Sequence, residues 1–366
     1  MDLASAPGGR SAGVRTVVLR VAVGLVTGGV LTVIFLRLVN AKAVYEHLIH
    51  LSIGFALLCG VAFFGAYVLR AMRWRCLLRP VRVTILRSVA IYQIAIFVNW
   101  LLPVRGGELA MSLMLRRSNG VPVSRSLATV SMDKAMDLLP AVALIALLPF
   151  MNLHLSGALW LLLVFALTVI AITVGVLALA AWRRDQAIVL LTRPLCALVP
   201  SRFREKIEPF IVAFIETLLA LMRRPRLLII AGAYTALVVF LDALACLLAF
   251  IAVGVSVTLP VVLYGYTFFN LAYILPTPPG QVGSNELVGL LIFSGLLGLN
   301  RSAVGAMFLF LHPWTALLMT CSGLICLSAM GLTLRSTLGL TRERTDLEAP
   351  QQDSPLAMHR AERRRH

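Results

Sequence analysis

The chain has 366 residues, 60% of them hydrophobic and only 13% charged, with 33 Lys and Arg against 16 Asp and Glu for a formal net charge of +17. A water-soluble domain is about 45–50% apolar and about 25% charged, so these proportions exclude a soluble exterior and place the chain in a bilayer. Nucleic acid is not the partner the positive charge points to, because the Lys and Arg residues lie between apolar runs.

From the N-terminus, a polar tail at 1–15 precedes an apolar run at 17–39. That run exceeds 20 residues and shows no small-residue cleavage site, so it reads as a retained span and not a signal peptide. Crossing about 30 Å of hydrocarbon takes roughly 20 helical residues. Runs of that length recur at 48–69, 126–149, 156–181 and 227–253, and a sixth at 303–334 is interrupted by His312-Pro313. Six cysteines (Cys59, Cys76, Cys196, Cys246, Cys321, Cys326) form no CxxC pair and read as small buried hydrophobes.

Two further apolar regions carry breaks. Residues 88–117 pass from a run ending at Pro103 through Arg105-Gly106-Gly107-Glu108 into a short second limb. Residues 260–298 repeat the device around Pro276, Pro278, Pro279, Gly280 and Gly283. Proline and glycine at this density stop helices, and non-helical backbone at membrane depth survives only inside protein or beside a wet cavity. The spacing therefore predicts two helical hairpins meeting at a cavity, hinged at Pro103, Pro276 and Pro279.

Positive charge accumulates on the cytoplasmic side of membrane proteins. Two basic residues precede the first run, six lie between Arg70 and Arg87, three between Arg116 and Arg125, nine between Arg183 and Arg226, and seven follow from Arg335, against Arg37, Lys42 and Arg301 on the other side. This predicts a multi-pass protein of the cell (inner or plasma) membrane with both termini cytoplasmic. The first hairpin, inserted from the cytoplasm, carries Asn99, Leu102-Pro103, Gly107 and Glu108; the second, inserted from outside, carries Asn270, Leu275-Pro276, Gly283 and Glu286. Inverted halves with broken helices near the midplane are a recurrent transporter plan. The expected fold is an all-α integral membrane bundle, polytopic, with two broken or re-entrant hairpins in an inverted-topology repeat.

Several polar side chains fall within these segments. Arg105 beside the glycines and a helix start suits a phosphate, or it pairs with Glu108 and pins the hairpin; the cost of an intramembrane charge favours binding. Glu108 and Glu286 each open a half-helix, where the dipole favours a carboxylate, as cap or as functional group. Asp133, Lys134 and Asp137 share one helix face and form either a self-neutralised ion cluster or a charged wall for a head group. Asp242 lies mid-span and bonds a neighbouring helix or relays protons. A lone histidine such as His312 is more often a packing residue than a switch. Gly24 and Gly28 make one GxxxG.

The connection at 183–226 carries Phe203, Ile207, Phe210, Ile211, Phe214, Leu218 and Leu221 at helical spacing with basic flanks, as an interfacial helix does, or a clamp on the cytoplasmic mouth. The transmembrane region thus spans 16–335, and a basic tail at 336–366 is expected to be disordered.

The arginine cluster around Arg70-Ala-Met-Arg73-Trp74, the string NWLLPVRGGELA, the step Asp133-Lys134-Ala-Met-Asp137 and the string ILPTPPGQVGSNE resemble the flippase-like membrane domain of lysylphosphatidylglycerol synthases and its stand-alone relatives, over roughly residues 15–335. The resemblance implies movement of lipids across the bilayer, with any aminoacylation left to a separate soluble domain that this sequence lacks. It departs at Asp133-Lys134, where the family commonly shows Glu-Arg, and at His312, where an Arg is usual.

The resulting expectation is a flippase for a phosphate-bearing lipid or lipid-linked head group. Its substrate would be held by Asn99, Arg105, Gly106, Gly107, Glu108, Asp133, Lys134, Asp137, Asn270, Gly280, Gly283 and Glu286. Arg70 and Arg73 would gather anionic head groups, and Glu108, Glu286 or His312 would couple to protons. No nucleophile constellation, metal motif or nucleotide-binding string is present, so neither enzyme activity nor a cofactor is expected. The alternative is a membrane-embedded enzyme, or a scaffold acting with a separate lipid-modifying enzyme.

Overall fold

The computed structural model describes residues 9–101, 106–140, 201–272 and 278–332, with isolated helical positions between 143 and 175, and side chains from residue 22 onward except at 201–203, 205 and 206. The hinge residues Pro103 and Pro276, the tip residue Arg105, most of the expected span at 156–181 and the tail at 336–366 lie outside the described residues.

Every described element is helical. Helix α1 (Gly9–Leu38) covers the first apolar run and bends by 91° into α2 (Ala41–Ile49). Asn40 makes the corner, its Oδ1 accepting from the amides of Lys42 and Ala43 at 3.1 and 3.3 Å, which satisfies two N–H groups that a helix start leaves open. Among the described residues, three helices are each long and apolar enough to cross a membrane: α3 (Ile53–Leu77), α8 (Pro225–Ala252) and α11 (Arg301–Ala329). Their outward residues are apolar too, with Ile53, Val61, Ile229 and Ile325 each about two-thirds exposed or more. An apolar exterior over an equally apolar core is what lipid contact permits and water does not.

Between these spans stand the two expected hairpins. The first consists of α4 (Ile85–Leu101) and α5 (Gly107–Asn119), and the second of α9 (Leu259–Ala272) and α10 (Ser284–Leu290), the latter running on as a π-helix over Leu291–Leu296. At 1.5 Å per residue, limbs of 13 to 17 residues reach about 20–25 Å, short of the bilayer core. Gly120, at φ 67°, ends α5 in the left-handed conformation that glycine adopts without strain. Helix α6 (Val123–Met136) follows, and α7 (Ser201–Met222) precedes α8.

The core has two main parts. One gathers Phe250, Phe293 and Phe308 with Cys59, Cys246 and Ala249, joining α3, α8, α10, its π-helical extension and α11. The other surrounds Trp74 and Tyr92 with Ile91, Ile94, Met111 and Met114, joining α3 to the first hairpin. Small residues set the closest approaches. A Cβ on Gly107 would strike the carbonyl oxygen of Ala95, and one on Gly289 would strike the Phe308 ring.

Three sequence expectations are corrected, while the last span is long enough despite Pro313, which lies inside α11. The run read as ending at 69 continues as helix to Leu77, because buried carboxylates neutralise Arg70 and Arg73. Cys321 is exposed, whereas Cys59, Cys76 and Cys246 are buried as expected. The C-terminal half of α7 is no interfacial stripe: Leu219 and Leu221 are buried, and Leu221 packs with Met132 and Met136 of α6. Ile207 and Phe210 at its other end are exposed.

Two glycine substitutions test the packing. Gly107→Ala forces the first hairpin apart and should cost about 1–3 kcal/mol, lowering the midpoint of thermal unfolding in detergent. Gly29→Ala, with nothing within 4 Å of the added Cβ, should leave the midpoint unchanged or raise it, by up to about 1 kcal/mol.

Candidate functional site

Inside the bundle, the charges of α3 are met by two other helices. Arg73 is fully buried, and its three nitrogens each have a partner: Nε donates to Asp133 Oδ1 at 2.7 Å, Nη2 to Asp137 Oδ1 at 2.7 Å, and Nη1 to Thr235 Oγ1 at 2.9 Å. One turn earlier, Arg70 forks onto Asp242 with contacts of 3.1 and 2.5 Å and lies 5.0 Å from the Tyr67 ring centroid. A bidentate guanidinium–carboxylate pair supplies the donors and charge that burial of either member demands. Neither arginine is available to gather head groups at an open mouth, as the sequence had suggested. Asp242 bonds a neighbouring helix, one of the two roles left open for it.

Asp133 extends the network. Its Oδ2 accepts from the Tyr92 hydroxyl at 3.1 Å, bringing α4 onto the same carboxylate. Lys134, the next residue, turns the other way and holds its ammonium 5.8 Å from the Tyr92 ring centroid. It lines a small cavity with Asp133, Tyr92, Asn99 and Glu108, closed off by Ala95, Ile96, Met111 and Val130. The space admits about one water molecule. Four expected binding residues, Asn99, Glu108, Asp133 and Lys134, therefore share one wall, and Asp137 joins them through Arg73.

Asn99 organises the first hairpin. Its Oδ1 accepts from the amide of Gly107 at 2.7 Å while its Nδ2 donates to Glu108 Oε1 at 2.9 Å. A side chain eight residues away thus caps α5 across the break, a task usually done by the residue just before a helix. Gly106 stands in the N-cap position with no side chain to offer. Glu108 Oε2 is buried without a hydrogen-bond partner among the described residues.

The second hairpin is tied differently. Asn270, its sequence counterpart of Asn99, lies half-buried near the end of α9, and the tie comes instead from α11. His312 Nδ1 lies 2.5 Å from Glu286 Oε1, and its Nε2 lies 2.8 Å from the carbonyl oxygen of Gly280. Glu286 and His312 are both buried, and Glu286 Oε2 also lacks a hydrogen-bond partner among the described residues. Ser284 does not cap α10; its hydroxyl donates back to the Gln281 carbonyl at 2.9 Å.

The tip of this hairpin sits on α1. A Cβ on Gly24 would meet the Pro279 ring, one on Gly28 would lie 3.1 Å from the carbonyl oxygen of Val282, and one on Gly283 would fall 2.7 Å from the Thr32 amide. The GxxxG of the first span is the seat of the second hairpin. Gly280, at φ 64°, and Gly283, at φ 76°, are conformationally required there. A Cβ on Gly280 would lie 3.6 Å from the Trp100 ring at the end of α4, so the tip of the second hairpin meets the end of the first hairpin's leading helix. The sequence missed that Trp100 and the Gly24/Gly28 pair belong to this junction.

Fold and site together define a polytopic all-α membrane protein built around paired broken hairpins with buried polar tips. Residues 17–323 match the family of the lysylphosphatidylglycerol synthase TM region, and the chain belongs to it. It is similar to the UPF0104 membrane protein PH1989 of Pyrococcus horikoshii, at 26% identity over 286 residues that cover 74% of this chain and 85% of that protein. No solved structure matches.

The paired, buried Arg73 and the half-buried Lys134 separate in a stability measurement. Arg73→Ala strands two carboxylates and should cost about 3–5 kcal/mol, whereas Lys134→Ala, which breaks no ion pair in the described network, should change stability by about 0.5 kcal/mol or less. Thermal unfolding of the purified variants in detergent reads both.

Proposed function

We propose that this protein moves a phosphate-bearing lipid, or a lipid-linked head group, across the membrane along a polar path that includes the cavity between its first hairpin and α6. The observation that carries the reading is the cavity of Asn99, Glu108, Asp133 and Lys134, beside the end of α4 where Trp100 meets the tip of the second hairpin. Buried charge in a membrane is expensive and is kept where a polar solute has to pass. Arg73 and Arg70 are consumed by structure, which leaves Lys134 as the described cation on the cavity wall; a mobile ammonium suits one phosphate oxygen. Arg105, at the tip of the first hairpin in the sequence, would add a second.

In this conformation the cavity is far too small for a head group. Transport therefore requires the helices around it to part; the polar ties of the hairpins are Asn99 to Gly107 and Glu108 within the first, and His312 to Glu286 and Gly280 between α11 and the second. An inner or plasma membrane location with both termini cytoplasmic follows from the distribution of positive charge, and a separate lipid-modifying enzyme would be the natural supplier of the cargo.

Reconstitution in vesicles carrying a fluorescent anionic phospholipid tests the proposal. The wild type should accelerate exchange between leaflets, and Lys134→Ala should lower the rate about tenfold or more, the loss of one charge-assisted contact of about 1.5–3 kcal/mol. Native mass spectrometry of the same variant should show reduced retention of anionic lipid. Exchange no faster than in empty vesicles would sink the transport reading.

A further inference from the structure

Among the described residues, the polar tie between the second hairpin and α11 is one imidazole whose two nitrogens both face oxygen. The Gly280 carbonyl has only lone pairs to offer, so at 2.8 Å the His312 Nε2 must carry a hydrogen and donate it. The contact between Nδ1 and Glu286 Oε1, at 2.5 Å, also needs one hydrogen between its two heavy atoms. That hydrogen sits on Nδ1, making an imidazolium facing a carboxylate, or on Oε1, making a neutral imidazole facing a carboxylic acid. Both descriptions hold the same number of protons.

Removing one proton leaves no arrangement that satisfies both contacts. A neutral imidazole with its hydrogen on Nε2 keeps the bond to Gly280 and points the bare Nδ1 lone pair at a carboxylate. The other tautomer keeps the bond to Glu286 and points a bare Nε2 at the Gly280 carbonyl. Two lone pairs within 3 Å repel, in a setting where burial weakens screening.

We propose that Glu286 and His312 form a proton-binding site that latches the tip of the second hairpin onto α11 and α1, and that loss of this proton releases the tip. The inference concerns the regulation of the site described above and rests on its geometry, not on the identity of the cargo. Glu286 Oε2, buried and without a hydrogen-bond partner among the described residues, makes the charged carboxylate costlier still once its proton is gone.

The charged and titratable groups on surrounding elements are accounted for as follows. Helix α10 with its π-helical extension carries only Glu286, and the turn over Pro279–Gln281 carries none. On α4, Tyr92 is bonded to Asp133, and Arg87 lies in the first turn, three turns from the junction at Trp100. Glu108 on α5 is bonded to Asn99. On α3 and α8, Arg70 and Asp242 close on each other, with Tyr67 beside them, and the thiols of Cys59 and Cys246 lie in the shared core. Helix α9 brings Tyr264 and Tyr266. Arg37 of α1 and Lys42, Tyr45, Glu46 and His47 of α2 cluster where Val39 and Val44 pack at Gly305, seven residues and about 10 Å along α11 from His312.

Spin labels on Val26→Cys in α1 and Val282→Cys at the tip, both exposed positions, report the latch in nanodiscs, with the exposed Cys321 replaced. The wild-type background should show a short-distance population at low pH that is lost along a one-proton curve as pH rises. In Glu286→Gln the amide donates to Nδ1 permanently, so the short distance should persist at every pH. In His312→Ala the short distance should be lost at every pH. A wild-type distance that does not respond to pH, or a response that survives in Glu286→Gln, would overturn the proposal. The labels read hairpin position and not lipid movement, so a failed transport assay and a failed latch are separate outcomes.

Discussion

A charge taken into hydrocarbon has to be met by protein, and Arg73 is met by two helices besides its own. Its guanidinium draws Asp133 and Asp137 of α6 and Thr235 of α8 to one point on α3. Removing such a group from water costs several kcal/mol, and the cost is recovered only if every nitrogen finds a partner in fixed geometry, so the three helices cannot slide independently. The consequence reaches the cavity. With Oδ1 of Asp133 committed to Arg73, Oδ2 is left to receive Tyr92, which fixes α4 and with it Asn99. Lys134, adjacent in sequence but on the next face of the helix, is turned toward the Tyr92 ring and the cavity by the same anchoring.

Composition and breakers made much of this legible. The apolar excess dictates a bilayer, and Pro-Gly clusters of that density leave no way to continue a helix, so both hairpins and their limits could be read from residues alone. The tie between Asn99 and Glu108 spans only nine residues, yet the sequence offered Arg105 as the partner of Glu108. What was illegible involves distance along the chain. Arg70 and Asp242 are 172 positions apart, Arg73 and Asp133 are 60, and His312 and Glu286 are 26. Periodicity reports which face of a helix is special but not which helix it meets. Arg70 and Arg73 therefore read as loop charges at the membrane surface, although their partners carry α3 two turns further. Gly24 and Gly28 likewise announced a close approach without naming the Pro279 tip that makes it.

The same geometry distinguishes two hairpins that look alike in sequence. Each presents a glutamate in the first turn of its returning helix, each glutamate has one oxygen bonded, and each has the other buried without a partner among the described residues. The bonded partner differs. Asn99 meets Glu108 with an amide hydrogen that no change of pH removes, and it belongs to the same hairpin, so the contact stiffens that hairpin internally. His312 meets Glu286 from another helix, so its contact fixes the hairpin relative to the bundle, and it does so through a hydrogen that exchanges with water. In the proposed latch, one hairpin is braced whatever the pH and the other is docked by a removable proton, so the tip of the second hairpin is the part that loss of the proton would free.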